Sequence, residues 1–189
     1  MTQRNFEALL ALGGNLPWNG KEPLNVQQEA LSLLQTKGLT VRKISRFHAT
    51  PCFPAGAGPD YVNAAATLET TLPPQALLDV LHEVEAVFGR ERKRRWGGRT
   101  LDLDLIAVEN LILPDLAQWS LWHDLPADRQ TVSAPQTLIL PHPRLQDRAF
   151  VLVPLMDVAP DWRHPVTGQT VTQMVQSLPQ TEIDAIRPL

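Results

Sequence analysis

Asp102-Leu103-Asp104 closely follows a run holding Arg90, Arg92, Lys93, Arg94, Arg95 and Arg99, and the two groups suit one chemistry. A strand turns successive side chains to opposite faces, so Asp102 and Asp104 share one face while Leu101, Leu103 and Leu105 share the other. Two carboxylates that close repel unless a cation lies between them. Such a pair of hard oxygen ligands suits Mg2+, which takes one or two carboxylates together with waters and phosphate oxygens. Guanidinium groups supply the other half, because they grip phosphate in two-pronged fashion and stay charged at any working pH. Taken separately, an acid pair is often only solvated and a charge run is often a wet loop. Here six cations and two same-face acids fall within fifteen residues, bracketed by Gly89 and Gly97-Gly98, and the contiguity reads as a polyphosphate and metal site. Trp96 within the run is either a packing anchor or a cover for a flat substrate.

Other residues are less specific. Thr50-Pro51 ends a strand pattern, and Tyr61 and Asn63 lie side by side on the polar face of another. An amide both donates and accepts, as recognition of a heterocycle demands, but these residues alone read first as a turn and the polar face of a strand. Pro141-His142-Pro143-Arg144, with Arg148 and Phe150 beyond, reads alone as a proline-stiffened loop. Cys52 reads as inert packing, and Trp119 with Trp122 as cover for the core or an interface.

The elements that must position these groups fit one domain over 1–189, with 43% hydrophobic content and a net charge of −3. Positive charge is concentrated in Arg90 to Arg99 and the rest is acidic, which disfavours a general nucleic-acid binder and points to a small ligand. One cysteine excludes an intramolecular disulfide, and the expected compartment is the cytoplasm. No signal or membrane-spanning stretch is read at Met1 to Leu12, and the five histidines show no zinc-ligand spacing. Phe6 to Leu12 predicts a first strand ending at Gly13-Gly14-Asn15; a helix follows from about Pro23 to Gly38, then a strand from Leu39 to Ala49. Tyr61 to Thr70 predicts a third strand, Thr71 to Phe88 a helix stopped by Gly89, and Leu101 to Val108 a fourth strand. The class is α+β, a β-α-β-β-α-β ferredoxin-like core with a mostly antiparallel sheet, helices on one face, and a C-terminal extension. Residues 111–136 read as an insertion, an excursion from the core. Pro141 to Pro160 is mixed in pattern, and Val171 to Ser177 reads as a short helix.

Together Leu12-Gly13-Gly14-Asn15, Thr50-Pro51, Asp60-Tyr61-Val62-Asn63-Ala64-Ala65, Arg90 to Asp104, and Leu140-Pro141-His142-Pro143-Arg144 through Arg148 to Leu155 resemble the hydroxymethyl-dihydropterin pyrophosphokinase family of folate biosynthesis. The resemblance implies transfer of the pyrophosphoryl group of ATP to the hydroxymethyl oxygen of a reduced pterin, with two Mg2+ ions on Asp102 and Asp104. It implies catalytic roles for Arg90, Arg92, Arg99, Asp102 and Asp104, and ATP contacts from Glu85, Arg90, Arg99, Leu105, His142 and Arg148. Thr50, Pro51, Phe53, Tyr61, Asn63, Trp96 and Phe150 match the pterin pocket. The implied partners are ATP and the pterin; no nucleic acid and no membrane are expected, and a monomer is expected ahead of an oligomer. Two other readings compete: a ferredoxin-like nucleic-acid-binding module using Arg90 to Arg99, which the acid pair opposes, and a non-catalytic pterin-binding relative. The chain departs from the family in having Gly14 where serine is frequent, Leu16-Pro17-Trp18 where an acid is usual, Phe53 in place of a smaller aliphatic residue, and one residue fewer between Arg92 and Trp96. The first two departures predict a differently shaped first turn, and Phe53 a changed pocket packing.

Overall fold

Apolar and small residues from Phe6 to Gly14 form strand β1, buried along most of its length because both faces of the sheet are covered. The computed structural model describes residues 4–52, 58–89, 98–126, 129 and 135–189. Helix α1 (Pro23–Thr36) opens on a proline, whose missing N–H is one that no first-turn position would bond. Then come β2 (Thr40–Ile44), β3 (His48–Thr50), β4 (Tyr61–Thr70), α2 (Pro74–Val87) and β5 (Asp102–Val108). With β6 at Arg187–Pro188, the sheet order is β5-β1-β4-β3-β6, with β2 also paired to β4, and every pairing is antiparallel. This is the ferredoxin-like arrangement expected from the element order.

Two features differ from expectation. The strand predicted from Leu39 to Ala49 is two, parted at Ser45-Arg46-Phe47. Ser45 keeps contact with β4, its backbone N–H donating to the Ala65 carbonyl at 2.9 Å and its Oγ accepting from the Ala65 N–H at 2.8 Å. Arg46 is drawn to Asp157, which accepts from its backbone N–H at 3.0 Å and its guanidinium at 2.9 and 3.1 Å. Nor do the helices cover only one face. One core packs Leu10, Leu12, Leu68, Leu103 and Leu105 against α1 and α2. A second, on the opposite face, packs Leu9, Ala11, Ala65, Ile106 and Ala107 against α4 (Ala149–Val158) and α5 (Val171–Ser177). The β1–β5 register shifts between Leu9 and Leu10, so Ile106 and Ala107 both reach this second core before Val108 returns to the first.

Within 111–136, the described residues hold a short helix, α3 (Leu116–His123), capped by Asp115, whose side chain accepts from the Gln118 N–H at 2.9 Å. It is fixed to the body rather than standing away from it. Trp119 is buried, its indole N–H donating to the Pro141 carbonyl at 2.8 Å, and its ring meets His123 and His164. Trp122 is only half-buried. The chain closes with α6 (Gln180–Asp184) and β6 (Arg187–Pro188), which lies along β3. Among the described residues no helix is long and apolar enough to cross a membrane.

Candidate active site

The sheet register assembles the site. Asn63 of β4 and Asp102 of β5 both pair with Gly13 of β1, so the three lie in one row and share a face. Strands spaced about 4.8 Å apart put the Asn63 and Asp102 backbones roughly 10 Å apart, with only a glycine between. The next row on that face is Ala65, Ala11 and Asp104. Small residues thus separate the carboxylates on one side of this face from the amide on the other, and the Ala65–Ala11 pair continues into the second core. Thr50 and Tyr61 are paired one step outward on the same face, and the Asn63 amide donates to Thr50 Oγ1 at 2.6 Å.

Charges on the β5 side are paired across chain elements. Arg99 bonds Asp102, and Arg148, just before α4, reaches Asp104 at 3.4 Å. Burial works against the Arg99 charge, yet Asp102 and then Asp104 hold its pKa above the ordinary value. Tyr61 is pushed up by burial and lies in the field of Arg99, Cys52 and Asp102. His142 is pushed down to about 3 by burial, with Arg148 adding to the effect. Its Nδ1 accepts the Arg144 N–H at 3.1 Å, which leaves the proton of the neutral ring on Nε2. A bond from the His142 N–H to the Ile106 carbonyl, 2.7 Å, holds this segment beside β5.

Two residues expected near ATP lie on the α1 and α2 side of the sheet. Leu105 sits in the first core, on the face opposite Asp104. Glu85 is 1% exposed, and its Oε1 accepts the N–H of Leu103, the residue between the two aspartates, at 2.7 Å. Phe150 is exposed, with the Arg148 guanidinium 5.8 Å from its ring centre. Pro51 is exposed at the end of β3. Arg90, Arg92, Trp96 and Phe53 lie outside the described residues. Asn15 carried no assigned role in the sequence reading. It is 3% exposed, donates from Nδ2 to the Pro59 carbonyl at 3.0 Å, and accepts at Oδ1 from the Arg99 N–H at 2.8 Å. Both of its partners are backbone groups distant in sequence, which no side-chain pattern signals.

A ferredoxin-like sheet that gathers two carboxylates, two arginines and an amide on one face suits a domain of the phosphate-handling class. Residues 9–160 match the family described as 7,8-dihydro-6-hydroxymethylpterin-pyrophosphokinase (HPPK), and the chain belongs to that family. It is 36% identical over 186 residues to the 2-amino-4-hydroxy-6-hydroxymethyldihydropteridine pyrophosphokinase of Synechocystis sp., covering 98% of this chain and 83% of that one. The protein of the same description from Pseudomonas aeruginosa is 36% identical over 190 residues, covering 98% of each chain. Among solved structures, Plasmodium falciparum HPPK-DHPS with pteroate superposes with a TM-score of 0.69 at 13% identity, over 100% of this chain and 46% of that one, a likeness of fold. The chain therefore spans under half the length of that two-part protein. Family membership supports the catalytic reading over the nucleic-acid-binding one.

Proposed function

We propose that this chain transfers the β,γ-pyrophosphoryl group of ATP to the hydroxymethyl oxygen of a reduced 6-hydroxymethyl-pterin. The hydroxyl oxygen bonds to the β-phosphorus and loses its proton. The bond from that phosphorus to the oxygen it shares with the α-phosphorus breaks, and AMP leaves with the oxygen. The observation that carries the reading is the row Asn63–Gly13–Asp102, which sets a heterocycle-reading amide and a metal-binding carboxylate on one face with only a glycine between them.

Asp102 and Asp104 fit Mg2+, being two hard oxygen donors on one face, and in our reading they hold two ions. Bound there, the metal would neutralise phosphate charge and polarise the reacting oxygens. The protein's own part is positioning and charge. Arg99 and Arg148, now paired with the carboxylates, stand where phosphate oxygens can replace those partners, so anionic substrate enters a site whose cations are already placed. His142, neutral with its proton on Nε2, offers a donor and not a second positive charge. Asn63 fixes the pterin ring, with Tyr61 beside it and Thr50 holding the amide in orientation. Glu85 and Leu105 act at one remove, Glu85 by holding the β5 backbone between the two acids.

Quantifying AMP released from ATP, with and without the reduced pterin and with and without Mg2+, tests the reading. AMP should form only when all three are present. Asp104→Ala should lower turnover by about 100-fold or more while circular dichroism stays native. AMP formation independent of pterin, or near-normal turnover by the folded variant, would overturn it.

A further inference from the structure

The turn after β1 grips both ends of the arginine-rich segment. Trp18 and Lys21 exchange backbone hydrogen bonds of 3.0 and 2.9 Å, and Asn19 and Gly20 between them have φ of 49° and 77°. That is the tight hairpin turn with two left-handed central residues, and it presents Trp18 from a stiff base. Gly89, where the segment leaves α2, has a φ of +75°, and a Cβ on it would collide with the six-membered ring of Trp18, coming 2.7 Å from Cε3. Where the segment returns, a Cβ on Gly98 would come 2.8 Å from Leu16 Cγ. Between these contacts the backbone is tied. The Asn15 and Leu16 N–H groups both donate to the Arg99 carbonyl, at 2.8 and 3.0 Å, and Thr100 Oγ1 donates to the Phe88 carbonyl at 2.6 Å. A Cβ on Gly14 would come 2.7 Å from the Thr100 carbonyl oxygen, so the residue that is frequently serine in the family must here be glycine for the turn to lie this close.

We infer that Trp18 and Leu16 are positioning residues for pyrophosphoryl transfer, fixing the backbone at Gly89 and Gly98 and, through Gly98, the approach of Arg99 to Asp102. Glycine is the freest residue in a chain, and bare glycine at these two stems would leave the backbone that carries Arg99 free to take many directions. Two large apolar side chains laid on Gly89 and Gly98 remove that freedom. Neither needs to touch a substrate; each acts through the backbone it covers. The catalytic half of the inference rests on the proposed function, and the stem half does not.

Two readouts separate them: steady-state kcat with KM for both substrates, and the rate of tryptic cleavage within Arg90–Arg95 in the substrate-free protein. Trp18→Ala should cut kcat by about tenfold or more, leave the ATP KM within about twofold, and speed cleavage in that segment over cleavage elsewhere. Trp18→Phe should recover most of both. Gly98→Ala should also lower kcat by forcing Leu16 aside, and Leu16→Ala/Gly98→Ala should exceed Gly98→Ala alone, because the second substitution clears the space. Unchanged kcat and cleavage in Trp18→Ala, or losses at Leu16 and Gly98 that merely add, would overturn the inference. Should Trp18→Ala fail to fold, the Leu16 and Gly98 pair decides by itself. If the wild-type chain releases no AMP, the proposed reaction fails, while the cleavage rates still decide whether Trp18 and Leu16 set the stems.

Discussion

Asn63 gives one amide proton to Thr50 Oγ1, and a Cβ on Gly13 would come 3.0 Å from its Oδ1, so its orientation and the room it occupies are set by two neighbouring strands. Thr50→Val keeps the shape of the threonine and removes the acceptor, leaving a buried N–H unsatisfied. About 1 to 1.5 kcal/mol of orientation should be lost, which raises the pterin KM roughly 5- to 12-fold with little change in ATP binding, as titration of each ligand would read. An equal loss for both ligands would remove Thr50 from the pterin side. At this scale the sequence is uneven. The facing of Asp102 and Asp104 was legible because strand alternation alone decides it. Trp18 was not, because its partner is a glycine, and a residue without a side chain leaves no trace of what lies on it. Glu85 was legible as an acid of the family but not as a backbone-holding one, since its bond to Leu103 depends on how α2 packs beside β5.

Among the elements, β4 came through with its ends intact, Tyr61 to Thr70, because its two faces differ cleanly in polarity. The break between β2 and β3 did not. The pattern from Leu39 to Ala49 is continuous, and what opens it is Asp157 of α4, more than a hundred residues away in sequence. Ser45 repairs the gap, which makes it testable. Ser45→Ala would orphan the buried Ala65 N–H and should cost about 1 to 3 kcal/mol, seen as a lower urea midpoint with an unchanged slope. A stability equal to wild type would mean that Ala65 finds another acceptor. Helix α4 was hidden by Pro154, which reads as a breaker but sits inside it, and α3 by apolar and polar residues mixed around its surface, which show no single inward face. Both are short helices held by tertiary contact more than by their own periodicity.

Over the whole molecule, the second core is what turns a half-open sheet into a closed body, and its periphery carries a pH liability. His164 is fully buried among Trp119 and Trp162, and its Nδ1 accepts the N–H groups of Val166 and Thr167 at 3.2 and 3.3 Å. Burial pushes its pKa down to about 4, and that of His142 to about 3. Both fall below the ordinary 6.5, so the unfolded chain binds these protons first as pH drops. Stability from the two neutral rings is complete above about pH 6.5 and is lost progressively toward pH 4 and then 3. Urea midpoints should therefore fall between pH 7 and pH 4.5, and His164→Asn, less stable throughout, should show a shallower fall. A midpoint flat across that range would remove the buried histidines as its cause.

The lateral margins of the sheet carry a different consequence. β3 is lined by β6, with the Leu189 N–H donating to the Phe47 carbonyl at 2.9 Å; β5 is lined by the segment through His142; β2 bears Arg42 and Lys43. Among the described residues each margin is thus paired, lined or charged, which denies a neighbouring copy a strand to add to. Colloidal behaviour and local order are in this way joined on one strand, because the two residues of β6 shield the outer side of β3 while Thr50 of that strand holds the Asn63 amide. With β6 undocked, β3 would offer a neighbouring copy an open strand to pair with.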